Sequence, residues 1–169
     1  LFRQARELGL NIKMFVGSGG GMNLPGYRQA LGNAVDGRVC NVGFPGYEIN
    51  PRFAKGIDEL SARYVKTFKL QPTSVFSVVN YMGTMALWDV IRRAGSADPE
   101  AIVKAARETN IPGDQTLLRH GIKFAPPGSP EMGQNILSHF FVTQWQDGKL
   151  WVVWPDEASS PGRKLAVLK

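Results

Sequence analysis

Cysteine is almost absent. Cys40 is the only one in 169 residues, which excludes an internal disulfide and any cysteine-rich metal site. A lone thiol of this kind reads as a small buried hydrophobe. Histidine is nearly as scarce: His120 and His139 stand alone, without H-x-x-x-H spacing or a neighbouring carboxylate pattern, so no metal centre is expected. No run approaches the roughly 20 apolar residues needed to span a bilayer. No signal-peptide pattern of charge, apolar core and small residues opens the chain. Its first residues read instead as the middle of a helix, as in a mature product or a fragment. The net charge is +6 and the pI about 9.7, yet Lys and Arg are scattered. Without clustering on one helix or strand face they indicate a mild bias towards anions and no nucleic-acid partner.

What is present is a core-forming composition, 43% apolar, organised around one stretch, Met14-Phe15-Val16-Gly17-Ser18-Gly19-Gly20-Gly21-Met22. A short apolar run that stops abruptly in glycines predicts a buried strand, at 12–16, opening into a loop of bare backbone. In open α/β sheets ligands sit beyond the carboxyl ends of strands, and glycines let main-chain N–H groups approach them. Gly17, Ser18, Gly19, Gly20 and Gly21 are therefore candidate ligand contacts; a flexible turn with no ligand is the alternative.

Around that loop the pattern is β-α-β. Leu1, Ala5 and Leu8 share one face of a short helix closed by Gly9. After the loop, Asn23 can cap and Pro25 open a helix with Tyr27, Ala30, Leu31 and Ala34 on its apolar side. A strand at 38–42 follows, with parallel pairing expected. The turn-rich Gly43-Phe44-Pro45-Gly46-Tyr47 then separates this unit from a helical region. Phe53, Ile57, Leu60, Tyr64 and Phe68 form a one-sided stripe on a helix starting at Asn50-Pro51. A longer helix spans 74–94, with Val79, Met82, Ala86, Leu87, Val90 and Ile91 on one face and Trp88 on the other. Asp98-Pro99 begins another. Beyond Thr109 the pattern is β: a strand at 121–124, then 136–146 and 149–155 joined by Asp147-Gly148, which suits a type I′ hairpin turn.

Enzyme signatures fail at specific positions. A dinucleotide fingerprint requires glycine where Met22 stands, and a phosphate loop requires Lys and Ser/Thr where Met22-Asn23 stands. The nucleophile motif G-x-S-x-G lacks its first glycine around Ser18. With no triad, carboxylate pair or metal cluster, neither catalysis nor a cofactor is expected. The aromatics Phe44, Tyr47, Phe76 and Trp88 could line a pocket. Packing is the alternative and the favoured reading for Trp88. Phe76 stands apart because it begins the 74–94 helix off its apolar stripe, where free N–H groups can meet an anion.

Four segments carry a resemblance to a known family: Phe2 to Leu10 leading into Phe15-Val16-Gly17, then Val35-Asp36-Gly37, then Tyr81 to Leu87 through Arg93-Ala94-Gly95-Ser96, and finally Gln144-Trp145-Gln146-Asp147-Gly148-Lys149 with Val153-Trp154-Pro155. Together they resemble the C-terminal half of the periplasmic leucine/isoleucine/valine-binding proteins, the substrate-binding components of ABC transporters. The resemblance implies an α/β, type I periplasmic-binding-protein fold of two Rossmann-like lobes with three crossovers, present here as an incomplete portion. It implies residues 1–43 as the end of the second lobe, 44–50 and 125–130 as hinge crossovers, 51–124 as part of the first lobe, and 131–169 as a return to the second lobe with the C-terminal tail.

The same resemblance implies a small-molecule ligand, an amino acid or organic acid, ABC permease subunits as partners, and a periplasmic or lipid-anchored extracellular location. A ligand-sensing domain of a receptor or regulator with the same fold is the alternative. In the family's amino-acid binders an acidic residue in the loop pairs with the ligand's α-ammonium, and that position falls on Gly19. A buried ammonium without a partner is costly, so ligands lacking an α-amino group, aromatic carboxylates among them, become the expectation. The family's aromatic ligand contact falls on Phe76, with Phe44 and Tyr47 expected near the cleft mouth. Half-lobes should also expose apolar edges and pair with another copy.

Overall fold

The structure is a computed structural model and describes residues 1–167; Leu168 and Lys169, the end of the expected tail, lie outside the described residues. The elements in chain order are α1 (Phe2–Glu7), β1 (Phe15–Ser18), α2 (Pro25–Leu31), β2 (Val39–Gly43), α3 (Ile57–Phe68), α4 (Val75–Ala94), α5 (Pro99–Arg107), β3 (Asn110–Ile111), β4 (Ile122–Lys123), β5 (Phe141–Gln146) and β6 (Lys149–Trp154). They fall into two compact units, Leu1–Val78 with the chain from Phe140 onward, and Val79–His139.

The first unit is built on a sheet of order β1-β2-β5-β6. β1 and β2 pair in parallel, Phe15 opposite Val39 and Gly17 opposite Asn41, as the β-α-β pattern predicts. β5 and β6 add antiparallel, joined through Asp147 and Gly148 at φ 52° and 79°. Both central residues are left-handed, as a type I′ turn requires. One core gathers Phe2, Val35, Val39 and Trp145, with Phe15, Met22, Tyr27, Leu31 and Leu150 packed against it. Phe2 meets Phe15 edge to face at 5.6 Å.

Polar side chains fix this core at its margins. Gln144 is fully buried; its amide donates to Gly37 O (3.1 Å) and Ala166 O (2.7 Å), and its oxygen accepts from Ala166 N (2.9 Å). It thereby ties the start of β2 to the C-terminal tail. Arg28 on α2 grips Asp36 bidentately, Nε to Oδ1 at 3.1 Å and Nη2 to Oδ2 at 3.0 Å. That accounts for Asp36 in the Val35-Asp36-Gly37 segment: it anchors α2 to the turn entering β2.

In the second unit Arg93 does more than complement a helix dipole. Its guanidinium donates to Asp89 Oδ2 (2.8 Å), Ala105 O (2.8 Å) and Thr109 Oγ1 (2.6 Å), pinning the end of α4 to the end of α5. Asp98 caps α5 by accepting from Ala101 N at 3.0 Å, with Pro99 at the first helical position, as expected. β3 pairs with β4, and Asn135 bonds both Lys123 N and Gly121 O, closing the loop back on β4.

The structure corrects several sequence expectations. The first strand lies at Phe15–Ser18 rather than 12–16, because its register is set by pairing with β2. α3 starts at Ile57 and not at Pro51, since Asn50 Oδ1 accepts from Arg52 N in a local turn and Gly56 sits at φ 95°. Asn23 does not cap α2; it is buried, and Leu24 occupies the cap without a side-chain bond. β5 begins at Phe141, because Asn135 and Ile136 bond back to Phe124 and Lys123 within the second unit. Trp88 is not packed: it is 66% exposed, and Met85, Leu87 and Ile91 are exposed beside it. Among the described residues no helix is long and apolar enough to cross a membrane.

His120 is buried in the second unit, edge-on to His139 at 5.1 Å, and its Nδ1 has no hydrogen-bond partner. Burial, with His139 adding repulsion, pushes its pKa from 6.5 down to about 4. A histidine depressed on folding stabilises the fold above its unfolded pKa, and that stability is lost as the pH falls through 6.5 towards about 4. The full loss is roughly 3 kcal/mol at 1.36 kcal/mol per unit. Denaturant unfolding at pH 7 and pH 4 should therefore show a smaller acid loss in His120→Phe than in the parent chain.

Candidate functional site

The glycine loop leaves the end of β1, where the sheet delivers it beside the start of α4. Gly17 packs so closely that a Cβ there would overlap Met22 Sδ. A Cβ on Gly20 would overlap the ring of Phe76. The structure thus brings together two residues separated by 55 positions in the chain, Gly20 and Phe76, with bare backbone as the seat for the ring. Ser18, Gly19 and Gly21 are exposed around this contact, and Phe76 itself is 38% exposed.

Gly19 is the informative position. Its backbone lies at φ 110°, ψ 168°, a region open essentially to glycine alone. Nothing lies within 4 Å of where its Cβ would be, so backbone geometry and not crowding excludes a side chain. An acidic residue here would need a differently folded loop. Beneath the loop sits a buried polar group: Thr143 Oγ1 is 3.5 Å from Asn23 Oδ1 and 3.4 Å from Asn41 O, while Asn41 Oδ1 has no partner.

Phe44 and Tyr47 are both half-buried but separate. Phe44 follows the last residue of β2 and lies outside the wall of the cavity described next. Tyr47 lines that cavity, of about 480 Å³, together with Glu48, Ser74, Val75, Trp145 and Lys149. Its ring stands 6.4 Å from Tyr64. Burial raises the Tyr47 phenol above its ordinary pKa of 10.0, and a hydrogen bond with Ser77 pulls it back. Gly17 to Gly21 do not reach this wall. Val75 and Phe76 are consecutive on a helix, so their side chains diverge by about 100°. Val75 is buried and lines the cavity, whereas Phe76 rests on the glycine loop.

Glu48 is a residue that the sequence reading did not single out. Burial pushes its carboxyl above the usual 4.5, with the Lys149 ammonium acting in the opposite sense. The two do not approach to ion-pairing distance, and Glu48 has no side-chain hydrogen bond among the described residues. Its position directly after a turn of Gly, Phe and Pro gave no periodic signal. No group of three or more His, Cys, Asp or Glu side chains converges among the described residues to hold a metal ion.

Two outcomes follow for stability. Gly19→Ala should cost about 1–3 kcal/mol because of its backbone region, whereas Gly21→Ala, with open space and ordinary φ, should stay within about 0.5 kcal/mol. Glu48 has its folded pKa raised, so the fold is favoured below the unfolded value of 4.5 and that advantage fades as the pH rises through the folded value. Glu48→Gln should therefore raise the thermal midpoint at pH 7 and leave it nearly unchanged at pH 4.

Residues 1–149 match the periplasmic binding protein family. Leu/Ile/Val-binding protein homologues 8 and 7 of Brucella abortus are 30% and 31% identical over 157 residues, covering 93% of this chain and 38% of each relative. A leucine-binding protein of Thermotoga maritima has a similar structure, with a TM-score of 0.67 and 22% identity over 95% of this chain and 41% of that one. The chain therefore spans about two fifths of the length of the proteins it matches. It carries part of the type I periplasmic-binding-protein α/β fold, as the family resemblance implies. Taken with the match over residues 1–149, this places the chain in the periplasmic binding protein family.

Proposed function

We propose that this chain is part of the substrate-binding component of an ABC importer, and that its ligand is a small organic acid without an α-amino group, an aromatic carboxylate among the candidates. The observation that carries the reading is the pairing of Phe76 with Gly20 beside a Gly19 whose backbone excludes an acidic side chain. An exposed ring seated on main chain offers an apolar surface to a planar ligand, and the loop supplies N–H groups. No carboxylate in the loop is available to neutralise an ammonium, so an amino acid would bury its charge at a cost. The names of the Brucella relatives support amino-acid and related ligands as the wider class. In this reading 44–50 and 125–130 are crossover segments, the protein acts in the periplasm, and ABC permease subunits are its partners.

Calorimetric titration with benzoate tests the ligand class. Benzoate should bind, Phe76→Ala should weaken it by about tenfold, in line with 1.4 kcal/mol for a lost aromatic contact, and Gly20→Ala should weaken it by displacing the ring. Leucine should fail to displace benzoate. Displacement at micromolar leucine would show that an α-ammonium is accepted at the loop and would overturn the organic-acid assignment.

A further inference from the structure

The cavity lined by Tyr47 and Glu48 has a chemistry of its own. Among the described residues Glu48 is the one acidic side chain in its wall, and it has no ion-pair partner. Of the two cations in the wall, Arg28 is already neutralised by its bidentate bond to Asp36. Lys149 lies with its ammonium 5.6 Å from the Trp151 ring and acts on Glu48 from beyond ion-pairing distance. The remaining wall mixes apolar and aromatic residues, Pro25, Val75, Leu150, Tyr47 and Trp145 among them, with uncharged polar ones such as Gln71 and Ser74. A volume of about 480 Å³ falls within the range of small-molecule sites.

We propose that this cavity is a second binding site, separate from the glycine loop, and that it takes a primary amine carrying a compact apolar body, with its ammonium on Glu48. The oxygens of this partly buried carboxylate are open to a ligand, and a charge-assisted hydrogen bond from an ammonium is the strong contact they can accept. Neutral ligands of the same shape leave the carboxylate unpaired, and carboxylate ligands are repelled by it. The site shares no wall residue with Gly17 to Gly21 or Phe76, so it stands independently of the organic-acid reading.

The probe is isoamylamine, followed by calorimetry or NMR at pH 7, with isoamyl alcohol as the uncharged counterpart. Isoamylamine should bind at least tenfold more tightly than the alcohol. Glu48→Gln should remove that preference, while Lys149→Gln, which deletes the competing cation, should tighten amine binding severalfold. Glu59→Gln, which removes a negative charge from exposed α3, should change nothing, separating a local contact from net charge. The proposal is overturned if the amine binds no better than the alcohol, if Glu48→Gln binds it equally well, or if Lys149→Gln weakens it, the last pointing to a zwitterion held at both ends. Benzoate lacks the ammonium and isoamylamine the carboxylate, so failure of either titration leaves the other assignment standing.

Discussion

The indole of Trp145 is the constraint on which the first unit turns. Its ring fills the core between β5 and α2, and its N–H donates to Met22 O at 2.7 Å. A ring of this size contributes several kcal/mol of apolar burial, but burial alone would not fix the chain that leaves β1. The hydrogen bond supplies that direction. It holds the end of the glycine segment against the sheet and satisfies a carbonyl that has few other options in a short irregular turn. Through Gly37 N, which donates to Trp145 O at 2.7 Å, the same residue also sets where β2 begins. Strand, turn and loop are thus placed by one side chain and its own main chain.

With the loop held at Met22, the glycines before it are free to serve as surface rather than as hinge. Gly17 accepts Met22 Sδ and Gly20 accepts the Phe76 ring, so each lost Cβ is used by a neighbour. Gly19 differs because no neighbour occupies its space; its role is conformational. The contrast matters for function. Two glycines are explained by packing, and one by a backbone turn that presents N–H groups while denying the loop any charge.

Much of this was legible in the sequence, for physical reasons that differ by element. The parallel pairing of β1 with β2 and the Asp147-Gly148 turn follow from local patterns, since periodicity and positive φ are properties of a few adjacent residues. The convergence of Phe76 with the loop came from the family resemblance and not from any pattern in the chain. What failed depends on long-range competition. Asn50 and Asn23 both look like helix caps, yet one closes a turn on Arg52 N and the other is drawn under the sheet beside Thr143. Strand β5 is short because Asn135 and Ile136 find partners in β4 and Phe124 first. Glu48 was invisible because its significance is an absence of partners, which no sequence pattern encodes.

Burial shifts His120 and Glu48 in opposite directions, and the difference separates packing from binding. His120 can give up its charge at neutral pH, so its depressed pKa leaves a neutral ring that packs against His139 and needs only one further acceptor or donor. Burial raises the Glu48 carboxyl while the Lys149 ammonium pulls it back, so its charged form is half-removed from water with a cation acting on it from a distance. A neutral amide of the same shape would remove that cost, so the fold itself gains nothing from the charge. Perturbed groups of this kind, set in a cavity wall without a partner, are where a structure holds energy in reserve for something that binds.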